Sequence, residues 1–192
     1  SYHTVKPLAG FIEQHGMRLV DVQRVDTHGG SLRGLAALAS SRWTPRAGMA
    51  ELIGQEERAG LYDRLTYQRL FDRIQELKRQ LVGLLQSLRA QGKTIVGFGA
   101  PAKATTLMYH FGIGPELLAY LVDDSPWKQG RFSPGHHLPV VGSSILDDAS
   151  RRPDYALILA WNFADAIIAK HRTFRQLGGR FILPLPRVEV RE

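Results

Sequence analysis

The sequence predicts an α/β fold: a Rossmann-like parallel sheet with helices on both faces, reached through a long connecting helix. Three observations carry that expectation. From residue 93 onward, short and nearly continuous apolar runs alternate with helical patterns, which is how strands buried on both faces of a parallel sheet read. The first of these runs, "TIVGFG" (94–99), ends in a glycine turn that opens onto a helix. Four segments rich in glycine, proline and polar residues, "GFGAPAKA", "DDSPWKQGRFSPGHH", "AWNFAD" and "PLPR", fall at strand carboxyl ends, where open α/β sheets hold their ligands.

The elements before that sheet are read in order. Val5, Leu8, Phe11 and Ile12 make an amphipathic helix that stops at His15-Gly16. "MRLVDVQRVDTHGGSLRGLAALAS" alternates apolar and polar residues on both sides of Gly29-Gly30, the pattern of two strands around a turn. One helix and one hairpin cannot bury both their faces, so residues 1–40 are expected to leave apolar surface that self-association could hide. Residues 41–60 read as a connector. From Leu61 to about Gln91 runs the longest helix, with Leu70, Ile74, Leu77, Leu81, Leu84 and Leu88 at spacings of four and three, and Arg73, Glu76, Lys78 and Arg79 off that stripe. Such a stripe packs on a neighbouring domain; it is too short for a sustained coiled coil.

Within residues 61–192 the sheet follows. "TIVGFG" is a strand, "AKATTLMYHFG" a short helix, "LLAYLVDDS" a strand ending on two carboxylates and "LPVVG" a short strand. "PDYALILAW" is a strand, "NFADAIIAKHRTFRQLGG" a helix stopped by glycine, and "RFILPLP" the last strand.

Composition narrows the function classes. The chain of 192 residues is 44% apolar and 22% charged, ordinary for a globular domain. It has no apolar run of the ~18 residues a membrane span needs. No signal peptide is visible, and the N-terminus "SYHTVKPLAG" lacks an initiator methionine, as expected of a processed chain or a fragment. Cysteine is absent, which excludes disulfides and thiolate metal sites and fits a reducing cytoplasm. The net charge of +7 suits an anionic ligand. The basic residues are dispersed, with no basic run interleaved with aromatics, so nucleic acid is not the expected partner.

The glycine turn bears the most chemistry. Gly97-x-Gly99-x-x-Ala102 fits the loose dinucleotide pattern, and Asp123 stands where a ribose-binding acid would stand. Glycines let backbone approach a phosphate, and a helix N-terminus offers free N–H groups with a positive dipole end. Pro101 suits the first helical turn. Lys103, in that same turn, opposes the dipole unless an anion is bound there; a packing turn with a solvated lysine is the competing reading. Asp123 either caps a strand end or bonds sugar hydroxyls. Lys128, Gln129 and Arg131 lie in a Gly/Pro-rich loop of the kind that binds ligands. Trp161 is placed to stack on a base, and Asn162 either contacts ligand or caps the next helix. His28, in "THGGSLR", is a turn residue or a site contact. His136-His137 has no third partner for a metal, so no metal ligand is nominated. No Ser/His/Asp set or paired carboxylates emerge, so no catalytic residue is nominated either.

Taken together, "HGGSLR", "GFGAPAKATTLMYHFGI", "DDSPWKQGRFSPGHHLPV", "LILAWNFADAIIAKH" and "GGRFILPLP" resemble, in order, the C-terminal part of the SAM-dependent nucleotide-sugar C-methyltransferases. The resemblance implies that residues 1–40 are the closing helix and two strands of a class I methyltransferase domain whose remainder, with its zinc module, glycine loop and Tyr-His-Glu-His segment, is absent. It implies a whole enzyme in which a base removes the proton beside a sugar ketone and the enolate takes the SAM methyl group. This fragment would bind no SAM and perform no catalysis alone. It would hold a nucleoside-diphosphate sugar, dTDP-linked, with Gly97, Gly99, Ala102 and Lys103 near the diphosphate. Asp123, Lys128, Arg131, Trp161 and Asn162 would be further contacts, and His28 would lie near the sugar. The alternative is a free-standing Rossmann-like module for NAD or another nucleotide, favoured by GxGxxA with Asp123.

Overall fold

A computed structural model of the chain describes residues 3–27 and 30–192, and the chain divides into two compact units at Asp72/Arg73.

In the first unit, α1 (Val5–Gln14) ends at His15, and Gly16 turns with φ +68°, a conformation that suits glycine. Strands β1 (Met17–Val25) and β2 (Ser31–Leu38) pair antiparallel, from Met17 opposite Leu38 to Val25 opposite Ser31. Residues 41–60, expected as a connector, instead contain α2 (Ala47–Arg58), whose Met49, Leu52 and Ile53 pack on Leu19, Val22 and Val5. The helix is also tied electrostatically. Glu56 of α2, only 6% exposed, accepts the Val5 N–H with both carboxylate oxygens at 2.9 Å, and the Tyr62 hydroxyl donates to it as well. A carboxylate at a helix N-terminus satisfies an orphan donor and faces the positive end of the dipole. That explains one charged residue on an otherwise apolar stripe.

The long helix α3 (Arg64–Ala90) leads into the second unit. There a six-stranded sheet runs in the order β5-β4-β3-β6-β7-β8. Its strands are β3 (Ile95–Phe98), β4 (Leu121–Val122), β5 (Val140–Val141), β6 (Tyr155–Ile158), β7 (Arg180–Leu183) and β8 (Glu189–Arg191). All pairs are parallel except β7 with β8. The Rossmann-like sheet expected from the sequence is thus present. Both faces are covered because alternate strand residues enter opposite cores. Ile95, Leu121, Leu157 and Ile182 meet α3 and α4 (Ala102–Phe111); Val96, Phe98, Ala156, Ile158 and Phe181 meet α5 (Ala164–Lys170) and α6 (Arg172–Gln176). Of the expected α3 stripe, Leu77, Leu81 and Leu88 are buried and Ile74 and Leu84 partly so, Leu70 is 52% exposed, and Leu85, which lay outside the stripe, is buried as well.

Three boundaries depart from expectation. The strand expected over "LLAYLVDDS" shortens to two residues, because Leu117 and Leu118 donate back to Gly114 O in a turn. The single helix expected after Trp161 breaks at His171, whose ψ of 51° leaves helical space, giving α5 and α6. Strand β8 was not anticipated; its polar sequence, Glu189-Val190-Arg191, carries no apolar run.

Candidate functional site

The strand order reverses between β3 and β6, the place where open α/β sheets hold their ligands. Two glycines shape the turn there in different ways. Gly97 lies within β3, where a Cβ would stand 2.6 Å from Leu121 and 2.7 Å from Leu159, so close packing of the sheet already accounts for it. Gly99 ends the strand at φ +93°, and a Cβ there would lie 2.9 Å from the Cβ of Ala160. This second glycine brings the β3–α4 turn against the end of β6.

Pro101, extended at φ −77° and ψ 160°, is the N-cap of α4, one position earlier than the first helical turn expected for it. No side chain caps this end; Ala104 N–H turns back to Pro101 O at 2.9 Å, and Ala102 and Lys103 stand at the head of the helix. Lys103 is half-buried and its Nζ stands 4.2 Å from the centroid of the Trp161 ring. Burial pushes its ammonium below the ordinary lysine value. Two residues read separately in the sequence therefore form one cation–π pair across the switch point. Trp161 opens a short 3-10 turn (Trp161–Phe163), so Asn162 sits inside that turn rather than at the N-cap of α5, which is Phe163.

Asp123 and Lys128 are brought together on the β4 side. Asp123 Oδ2 accepts the Ala100 N–H at 2.7 Å and the Lys128 ammonium at 3.1 Å, while Oδ1 accepts the Ser125 N–H at 2.9 Å. Burial alone would raise this carboxyl. The Ala100 and Ser125 amides and the Lys128 charge outweigh it and hold the group below the usual carboxylate range. Asp123 thus fastens the β3–α4 turn to the end of β4. Arg131 does not join this group; its Nε donates to Trp127 O at 2.7 Å, within its own loop. His28 lies outside the described residues.

Beside the turn, on the β4 side, is a cleft of about 250 Å3 lined among others by Ala102, Thr105, Met108, Ser133, Pro134 and His136. The sequence reading considered His136 only as a metal ligand; the glycine turn of "SPGHH", with Gly135 at φ +74°, was the signal that this loop folds over a neighbour. Among the described residues no group of three or more histidines or carboxylates could hold a metal ion. Nor, among them, is any helix long and apolar enough to cross a membrane.

A six-stranded, mostly parallel sheet covered by helices on both faces defines a Rossmann-like fold. The chain belongs to the C-methyltransferase C-terminal domain family, whose model matches residues 26–186. It is 36% identical over 190 residues to the C-methyltransferase NovU of Streptomyces niveus, a match covering 99% of this chain and 45% of that protein. The chain therefore spans somewhat under half the length of this curated relative.

Proposed function

We propose that this chain is the substrate-binding C-terminal part of a SAM-dependent C-methyltransferase acting on a nucleotide-linked ketosugar, dTDP-linked, and that it is not catalytic alone. The observation that carries the reading is Lys103, a cation at the uncapped start of α4, next to the glycine turn at the switch point. The diphosphate meets the first-turn N–H groups of α4 and the Lys103 ammonium, which leaves Trp161 on arrival of the anion. Trp161 and Asn162 then border the sugar. The first unit supplies the closing elements of the methyltransferase domain, as the match to somewhat under half of a C-methyltransferase supports.

The chemistry of SAM argues against its binding to these residues. Its sulfonium is cationic, and both Lys103 and the start of α4 disfavour a cation. Among the described residues, the strands of the first unit form one antiparallel pair, with no parallel strand end facing a helix start. The described residues do not fit SAM, so no step of methyl transfer is derived through them; they bind and orient the other reactant.

An NAD-binding module is the second reading, resting on Asp123. Its carboxylate is already engaged by two amides and Lys128, which weighs against a ribose role. The test is Lys103→Ala. A charge-assisted contact is worth about 1.5–3 kcal/mol, so dTDP affinity should fall roughly 10- to 100-fold while the melting temperature stays within a few degrees. Undiminished affinity in a folded variant would remove the diphosphate from this turn.

A further inference from the structure

We propose that residues 134–137 form a strap over the cleft beside α4, latched shut by Tyr109 on His136 and poised to lift. The motion rests on the geometry of the loop alone; what it admits rests on the nucleoside-diphosphate reading of the adjoining turn.

The loop has a fixed base and a strained tip. Phe132 bridges to Pro139, and next to that pair Ser133 and Leu138, both buried, are joined twice. Ser133 N–H donates to Leu138 O at 2.8 Å, and Leu138 N–H donates to Ser133 Oγ at 3.0 Å. Between them the chain reverses within residues 134–137. His136 N–H donates to Pro134 O across Gly135, whose φ of +74° makes this the rarer and strained form of the γ-turn. His137 follows at φ +52°, left-handed backbone that a residue with a side chain seldom adopts. Pro134, Gly135 and His137 are exposed, and His136 is half-buried.

The latch is the His136 side chain. Tyr109 of α4 stacks on its ring, centroids 4.5 Å apart and planes inclined by 25°. Two glycines make room for the stack. A Cβ on Gly135 would overlap the phenol, and one on Gly114 would come within 3.1 Å of His136 Nδ1. The closed position has a cost at one atom: His136 Nε2 has no exposed surface and no hydrogen-bond partner. An unpaired buried polar atom costs as much as one aromatic pair contributes, or more. Shut, the tip gains the stack and leaves Nε2 dry. Lifted, it gives up the stack, hydrates Nε2 and relaxes the turn at Gly135. Two arrangements so nearly balanced exchange readily.

Ser133, Pro134 and His136 line one side of the cleft of about 250 Å3, and Ala102, Thr105 and Met108 of α4 another. Swinging 134–137 away on the Ser133–Leu138 base widens that cleft, beside the turn that receives the diphosphate. The strap lets the nucleotide in and closes behind it, the gating role of mobile loops at binding sites.

The experiment is backbone-amide relaxation dispersion by NMR on the 192-residue chain, for the wild type, Tyr109→Phe and Tyr109→Ala, without ligand and with dTDP. The expected result without ligand is exchange at the amides of Gly135, His136 and His137, with Ser133 and Leu138 quiet and a lifted form populated at about 1–10%. Tyr109→Phe keeps the stack and the exchange. Tyr109→Ala moves the tip signals to those of the lifted form; Tyr109 is 55% exposed, so its truncation leaves the core intact. Saturating dTDP quenches the exchange. Flat profiles at the tip, exchange shared equally by Ser133 and Leu138, or unmoved tip signals in Tyr109→Ala overturn the strap. Bound dTDP that leaves the exchange as it was overturns the gating role. Absence of dTDP binding removes the diphosphate reading and leaves the strap standing on its ligand-free profiles.

Discussion

At the scale of single residues, Asp123 does more for the turn than a ribose acid would. It gathers Ala100 N–H, Ser125 N–H and Lys128 around one buried carboxylate, 7% exposed. Asp123→Asn keeps one acceptor oxygen but removes the charge that Lys128 and two amides are arranged around. The expected cost is about 1–3 kcal/mol, read as a lower urea midpoint. An unchanged midpoint would mean that the turn is held by the sheet alone. Position 123 was legible in the sequence because a carboxylate at a strand end is conspicuous. Lys128 could be named as well, but the other two partners could not, since Ala100 and Ser125 contribute only backbone, which side-chain identity cannot announce. Gly97 and Gly99 illustrate the same limit. Both fit the glycine pattern, yet a Cβ on the first would meet leucines and on the second the end of β6, a difference that exists only once the strands are paired.

At the scale of elements, periodicity was informative where burial is one-sided and weak where an element carries breakers. Helix α1 stops where His15-Gly16 suggested, and α4 ends at Gly112 in the left-handed conformation. Helix α2 was obscured by Pro45, Gly48 and Gly54, although Met49, Leu52, Ile53 and Glu56 recur at helical spacing. Its Glu56 reads as a solvated charge until α1 is placed beside it. The break between α5 and α6 has a consequence for pH. His171 is 5% exposed, packs edge-on against Phe98 at 5.0 Å, and has Asp124 Oδ1 3.7 Å from its Nε2, too far for a hydrogen bond. Burial, helped by the neighbouring Lys170 ammonium, lowers its affinity for a proton more than Asp124 and Asp147 raise it. The folded state therefore prefers the neutral ring. Above about pH 6.5 both states are neutral at this site; as pH falls below that value the unfolded chain takes up the proton first and stability declines. Urea midpoints measured at about pH 7.5 and about pH 5.5 should fall more steeply for the wild type than for His171→Gln. Equal slopes would show that the ring is protonated freely in the fold.

At the scale of the whole molecule, the two units differ in how much core each owns. Among the described residues, the first is built around three buried apolar ones, Val5, Leu19 and Val22, and its hairpin leaves Leu35 and Leu38 at 50% and 63% exposure. The second buries both faces of its sheet. Opening free energy follows local burial, so backbone amides of β1 and β2 should exchange with solvent faster than those of β3, β6 and β7. Native-state hydrogen exchange resolves this directly, and uniform protection across both sheets would indicate one cooperative unit. The central claim concerns the second unit. Calorimetric titration of the chain with dTDP, UDP, NAD and SAM under one low-salt condition tests it most directly. The account predicts selective binding of a nucleoside diphosphate and no binding of SAM; binding of NAD in preference to either diphosphate would contradict it and return Asp123 to the ribose.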